Sequence, residues 1–285
     1  MPPWKTHHAA VAHRFLPPED AATWIGLLRP AAGLTTDDAS GPCAGYLGGE
    51  PVLPIGTEWP GHGPLTFVAS VECAALPTTE LDIALPASGT LQFFYFDGQF
   101  DDDEALVEAR ESDSQAGARV IYVPAGAEAT QRTTPTGIKP YPKVPLSART
   151  VGTFPDITHP VARAAFPEAF SATCGLSHHA VGAYEFREAL FATTPQHRVG
   201  GHAVAVQDSV EHEVAQGVLG GDTFTSFSDP ALLAEAAEWV LLAQIDSDWS
   251  AEMCWGDMGT LYWFIKPADL AAHRFDRTWF GWQCT

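Results

Sequence analysis

Three blocks of this sequence occur twice, in the same order, and that repetition limits the fold more than any other feature. Gly48-Gly49-Glu50-Pro51 faces Gly200-Gly201-His202-Ala203. Leu65-Thr66-Phe67-Val68-Ala69-Ser70-Val71-Glu72 faces Trp239-Val240-Leu241-Leu242-Ala243-Gln244-Ile245-Asp246. Gly89-Thr90-Leu91-Gln92-Phe93-Phe94 faces Gly259-Thr260-Leu261-Tyr262-Trp263-Phe264. Each set reads as a glycine turn, an apolar strand ending in an acid, then Gly-Thr-Leu opening an aromatic strand. The glycine pairs lie 152 residues apart and the apolar runs 174 apart. The difference implies an insertion of about 22 residues within Gln207 to Glu238, as loops tolerate added length at small entropic cost.

Two β-rich copies are too few for a solenoid or propeller, so they are expected to share one core. The expected fold is α+β, a largely antiparallel extended sheet from two diverged pseudo-symmetric halves with peripheral short helices. The expected organisation is a single domain over 1–285. Its halves run over about 41–125 and 195–285, joined by an irregular or helical segment 126–194. Further strands are predicted at Arg119 to Val123 and Gly201 to Val206. Helices are predicted over Pro18 to Leu28, Pro160 to Ala169, Tyr184 to Phe191, Asp229 to Glu238 and Pro267 to Arg274. In most of these, proline stands at the first turn, where a missing N–H costs nothing.

Charge and cysteine usage narrow the function classes. Asp and Glu number 35 against 15 Lys and Arg, a formal charge of −20. Such a field repels phosphate backbones and anionic membrane surfaces, so nucleic acid and membrane partners are not expected, and a basic protein or peptide suits better. Asp101 to Glu104 is an acidic run read as a solvated segment. The five cysteines have no CxxC spacing, so they read as buried reduced thiols rather than a zinc or redox motif. The first residues lack the basic start and apolar core of a signal peptide, and no apolar run approaches the roughly 20 residues of a membrane helix. The expected location is the cytoplasm.

The repeated blocks belong to a longer ordered set. The first half carries Gly48-Gly49, Pro51-x-Leu53-Pro54 and Trp59-Pro60. The second carries His197-Arg198-x-Gly200-Gly201, Gln207-Asp208, Leu241-Leu242-Ala243-Gln244-Ile245-Asp246 and Trp255-Gly256-Asp257-x-Gly259-x-Leu261-Tyr262-x-Phe264-Ile265. Together these resemble the YwqG-like family of uncharacterised bacterial proteins, from about Gly45 to Gln283-Cys284. The resemblance implies an α+β fold with an extended, mostly antiparallel sheet, and it implies no established activity. Ser70 departs from the family's tendency to carry Gln at the end of the first apolar strand, whereas Gln244 keeps it.

Eight residues are candidates for ligand binding: His197, Arg198, Gln207, Gln244, Asp246, Trp255, Asp257 and Trp59. Asp257, in a turn before an aromatic strand, could orient an amine or act as a base, although Asp in turns commonly caps its own backbone. His197 could act as a base or ligate a metal, and Arg198 could hold a carboxylate or phosphate. A satisfied histidine beside a paired arginine is the blander alternative. Asp246, Asp248 and Asp257 are oxygen donors without an EF-hand pattern, and His178, His179, His202 and His212 lack the spacing of a zinc site. No metal or cofactor is therefore expected. Cys254 with His197 is a conceivable nucleophile and base, against the safer reading of a buried thiol. No P-loop, dinucleotide fingerprint or Gly-x-Ser-x-Gly elbow occurs.

Whether the chain is an enzyme stays open at this level. The favoured function is a protein- or ligand-binding module, with an immunity or antitoxin-like protein sequestering a basic partner as one form. The alternative is an enzyme or small-molecule receptor with a polar pocket between the two halves.

Overall fold

The computed structural model describes residues 1–36, 42–61, 65–98, 107–170, 179–190, 195–220, 226 and 228–285. The acidic run Asp101 to Glu104, Cys174 and His178 lie outside these residues.

The strands are β1 (Arg29–Thr35), β2 (Cys43–Leu47), β3 (Val52–Pro54), β4 (Thr66–Glu72), β5 (Thr90–Tyr95) and β6 (Ala118–Val123). They continue as β7 (Ala129–Gln131), β8 (Val144–Thr153), β9 (Arg198–Val199), β10 (Val240–Asp246), β11 (Thr260–Ile265) and β12 (Trp279–Gln283). The helices are α1 (Thr6–Phe15), α2 (Pro18–Gly26), α3 (Pro160–Ala165), α4 (Tyr184–Leu190), α5 (Val210–Leu219), α6 (Pro230–Ala236) and α7 (Pro267–Ala271). None among the described residues is long and apolar enough to cross a membrane.

Ten strands form one antiparallel sheet, in the order β12-β11-β10-β9-β1-β8-β2-β4-β5-β6, and β3 pairs with β7 apart from it. The expected α+β class with a large antiparallel sheet is what the chain adopts. Read inward from its two edges, the sheet runs β12-β11-β10-β9-β1 on one side and β6-β5-β4-β2-β8 on the other. The two central strands cross over: β1 lies against β9, and β8 lies against β2.

The local geometry of the repeated blocks matches closely. Register shifts fall between Phe67 and Ala69 in β4 and between Leu241 and Ala243 in β10. The Gly48 amide donates to the Val68 carbonyl at 2.8 Å, and the Gly200 amide to the Leu242 carbonyl at 3.2 Å. Thr90 Oγ1 donates to Glu72 at 3.0 Å, and Thr260 Oγ1 to Asp246 at 2.9 Å. Gly48, Gly49, Gly200 and Gly201 all hold φ between 59° and 75°, left-handed backbone that favours glycine.

The sheet curls until its ends meet. Phe93 of β5 and Trp263 of β11 pack with ring centroids 5.1 Å apart, and Tyr95 stacks on Phe280 of β12 at 4.8 Å. Gln115, just ahead of β6, bridges to the far edge: its side-chain oxygen accepts from the Phe280 amide at 2.7 Å and its nitrogen donates to the Phe280 carbonyl at 3.1 Å. The concave side is an aromatic and aliphatic core built on Leu91, Phe93, Leu261, Trp263 and Ile265. These alternate residues of β5 and β11 share a face because side chains on a strand repeat every second position. The opposite face of β10 to β12 carries Leu241, Tyr262 and Phe264 against α5. A third cluster joins α1 and α2 to the helical segment after β8 through Trp24, Phe166 and Phe186.

Two expectations are corrected. The segment 126–194 contains β8, a ten-residue strand at the centre of the sheet. Its pattern, with Pro145, Ser147, Arg149 and Gly152 among few large apolar residues, hides a central strand because β1 and β2 supply the partners that a local pattern cannot show. The strand expected over Gly201 to Val206 is instead the two-residue β9, which ends at Val199 and is followed by an irregular stretch. Side chains replace ladder partners there: Gln244 accepts from the Val204 amide at 2.9 Å, and Gln283 from the Val206 amide at 2.9 Å and the Gln207 amide at 3.1 Å. The region Gln207 to Glu238, where the insertion was expected, holds α5 and α6.

Candidate functional site

β9 is only two residues long, because the left-handed pair Gly200-Gly201 turns the chain directly after it. The strand places His197, Arg198 and their neighbours between β1 and β10, and a buried polar network forms around them. Asp246, at the end of β10, accepts from the Gln196 amide at 2.6 Å, from Gln244 Nε2 at 2.9 Å and from Thr260 Oγ1 at 2.9 Å. Gln244 Nε2 also donates to the Gln196 carbonyl at 3.2 Å. Tyr262 donates to the Val204 carbonyl at 2.6 Å, and burial, then Asp246, push its hydroxyl above the usual range.

His197 is locked at both ring nitrogens. Nδ1 accepts from the Asp246 amide at 3.1 Å, so the proton sits on Nε2, which lies 3.1 Å from Asp248 Oδ2. The hydrogen bond from His197 comes first among the causes that hold the Asp248 carboxyl well below the usual range, and the Ser250 hydroxyl and amide add to it. A ring with no free nitrogen cannot take a proton from a ligand, so the base role expected of His197 is not available in this arrangement. The pairing of His197 with Cys254 fails for the same reason, and the thiol expected to be buried is instead exposed, as is that of Cys43, with Cys254 Sγ on the Gly256 carbonyl.

Arg198 is 7% exposed. Nη1 donates to the His202 carbonyl at 3.1 Å and Nη2 to Gln196 Oε1 at 2.6 Å, both neutral oxygens. No carboxylate lies within ion-pair distance of it among the described residues. Burial pulls its pKa down, while the more distant Asp246 and Tyr262 push it back up.

His197 and Arg198 border a cavity of about 700 Å³. Its floor is β1 and β8, through Gly33 to Thr35 and Arg149 to Thr153, and Trp4, in the turn before α1, closes it with His8 of α1, Trp24 of α2 and Phe186 and Arg187 of α4. His8 packs against Phe154 at 5.4 Å, and burial, then His7 and Arg198, lower its pKa to about 4. Its Nδ1 is buried without a partner among the described residues.

The eight expected residues therefore separate. His197, Arg198, Gln244 and Asp246 come together in the network beside the cavity. Gln207 lies away from the wall, its Nε2 on the Cys284 carbonyl at 2.8 Å. Trp255 is core, edge-on to Tyr95 at 5.9 Å and to Tyr141 at 5.7 Å. Trp59 donates to the Leu65 carbonyl at 2.8 Å and packs on Phe94 in the first half. Asp257 is exposed, outside the cavity wall, and its backbone carbonyl receives Thr285. His197 and Asp257 thus do not meet on one cavity.

The pocket expected between the halves is displaced as well. Among the described residues, the cavity wall draws on 4–36, 149–190 and 195–205, and none comes from 41–125. Large aromatic side chains fill the space where the halves face each other, as Phe93 against Trp263 shows. Among the described residues, no three His, Cys, Asp or Glu side chains are placed to hold a metal ion.

Local reasoning missed Gln196, Thr260 and Gln283 as structural donors and acceptors, and Trp4, His8, Trp24, Arg149 and Arg187 as cavity wall. The acid–threonine pairing was readable, since Thr90 with Glu72 and Thr260 with Asp246 recur in both blocks. The wall had no local signal, because its members lie far apart in the chain.

A family model described as a domain of unknown function, DUF1963, matches residues 46–284. The N-terminal part of the cavity wall, including Trp4, His8 and Trp24, precedes the matched span. None of the curated proteins matches the chain.

Proposed function

The chain belongs to the family of this domain of unknown function, DUF1963, and since that membership carries no chemistry, we propose that the protein is a small-molecule-binding protein whose ligand occupies the cavity above β1 and β8. One observation carries this reading: a cavity of about 700 Å³ combines aromatic walls with a buried guanidinium. Ligand sites commonly have this size and character, mostly apolar with a few polar groups that fix orientation. The network around Asp246 serves as the rigid support that holds Arg198 in place, and a binding role rather than catalysis follows from the double engagement of His197.

The proposal includes the chain's organisation. Residues 1–285 act as a single domain, and the two halves descend from one duplicated β unit. The matched bulges, glycine turns and acid–threonine pairs support a common origin. The motif likeness supports assignment to the YwqG-like proteins, and a cytoplasmic location is part of the proposal, which the free cysteines among the described residues suit.

The charge of −20 favours a second reading, in which the protein binds a basic protein or peptide, as an immunity or antitoxin-like module does. A thermal-shift screen separates the two. Organic acids, amino acids, nucleotides, metals and cationic peptides are tested at low and high salt on the wild type and on Ala205→Trp, which places an indole in the cavity. The expected result is a raised melting temperature with a small molecule in the wild type and none in A205W. A salt-sensitive shift with cationic peptides alone, unchanged in A205W, would refute the cavity reading and favour the basic partner.

A further inference from the structure

We propose that the ligand is an organic anion, with a carboxylate or phosphate head and an apolar body, whose head is held by Arg198 with Arg149 and Arg187; this rests on the reading of the cavity as a ligand site. The charges on the wall run against those of the chain as a whole. The protein carries −20, yet among the described residues the wall holds the cations Arg149, Arg187 and Arg198 against one carboxylate, Asp156. Asp156 is committed to its own turn, its Oδ1 accepting from the Thr158 amide at 2.7 Å and the Thr158 hydroxyl at 2.6 Å.

Arg198 carries most of the argument. A buried cation is costly unless an opposite charge and hydrogen bonds compensate it. The described residues offer it two neutral oxygens and no ion-pair partner, so N–H donors of the guanidinium remain for a ligand. Its planar fork suits the paired oxygens of a carboxylate or phosphate, which a point charge would match less well.

Arg149 and Arg187 are exposed at the wall and form no ion pair among the described residues. They extend the positive surface from the buried guanidinium toward solvent, which favours entry of an anion into an otherwise acidic molecule. The Nδ1 of His8, unpartnered among the described residues, adds a neutral hydrogen-bonding group to the same wall. Trp4, Trp24, Phe154 and Phe186 supply the apolar surface for the body of the ligand, which excludes a bare inorganic ion as the best occupant.

The test uses calorimetric titration with probes of one shape and different charge: 4-phenylbutyrate, 4-phenyl-1-butanol and 4-phenylbutylamine, with phenyl phosphate to compare heads. The acid should bind at least roughly tenfold more tightly than the alcohol, and the amine most weakly. Arg149→Gln and Arg187→Gln, at exposed positions, should each weaken the acid roughly fivefold, the scale of one solvent-exposed charge. They should leave the alcohol unchanged. Arg198→Gln should weaken the acid roughly hundredfold, as removal of a buried charge partner does. A tighter fit for 4-phenylbutyrate or for phenyl phosphate identifies the head, and either preference over the alcohol supports the inference. If alcohol and acid bind equally, or R149Q and R187Q change neither, the anion inference is overturned while the cavity reading stands. If none of the probes binds, both are overturned together.

Discussion

Replacing Asp246 by Asn tests the buried network most directly. The carboxylate takes three donors, the Gln196 amide at 2.6 Å on Oδ2 and Gln244 Nε2 and Thr260 Oγ1, each at 2.9 Å, on Oδ1. Asparagine keeps one oxygen and turns the other into a donor, so at least one of these groups meets a donor instead of an acceptor. The loss combines a charge-assisted hydrogen bond, about 1.5–3 kcal/mol, with a buried donor left unsatisfied, about 1–3 kcal/mol. Arg198 also loses the negative charge that offsets its burial. The expected destabilisation is about 3–5 kcal/mol, which in a chain of this size lowers the melting temperature on the order of 10 °C. Thr260→Val is the control. It keeps the shape, removes one donor and leaves the carboxylate two others, so about 1–2 kcal/mol is expected. Urea unfolding of the wild type and both variants measures the difference through the midpoint at unchanged slope. If Asp246→Asn shifts stability by less than about 0.5 kcal/mol, or less than Thr260→Val does, the network is not the support claimed for β9.

Two further outcomes are expected. Burial, helped by His7 and Arg198 at His8 and by His159 at His202, lowers the pKa of His8 to about 4 and of His202 to about 3, and burial lowers His212 to about 4. Each folded value lies below the unfolded 6.5, so the unfolded chain binds the proton first; the stability is present above pH 6.5 and is lost as the pH falls toward 4 and below. Urea midpoints should decline over that window, and His202→Gln, which can still donate to the Leu27 carbonyl, should flatten the decline; a midpoint constant from pH 8 to pH 4 contradicts this. Gly201→Ala should cost clearly more than Gly56→Ala. Both positions hold positive φ, which costs an L-residue about 1–2 kcal/mol, but a Cβ at Gly201 would meet Thr153 Oγ1 at 2.5 Å and Ala31 Cβ at 2.8 Å, and at Gly56 nothing within 4 Å. Equal melting temperatures for the two variants would contradict the close packing of the second glycine turn.

Much of the sheet was determined by local sequence. β4, β5, β10 and β11 are continuous apolar or aromatic runs between glycine turns, and burial of such runs leaves few other conformations. The acid before each Gly-Thr-Leu block, and the glycine pairs, were legible because hydrogen bonding and left-handed backbone act over a few residues. Tertiary structure alone decided the rest. β1, β8 and β9 have weak strand patterns, and they are strands because neighbours from distant parts of the chain supply their hydrogen bonds. Asp257 and Trp255 stood out in sequence yet lie outside the cavity, whereas Trp4, His8, Arg149 and Arg187 did not stand out and line it. A cavity wall assembled from residues 4–36, 149–190 and 195–205 leaves no trace in any one segment, since its chemistry exists only once the central strands have paired and the helices have closed over them.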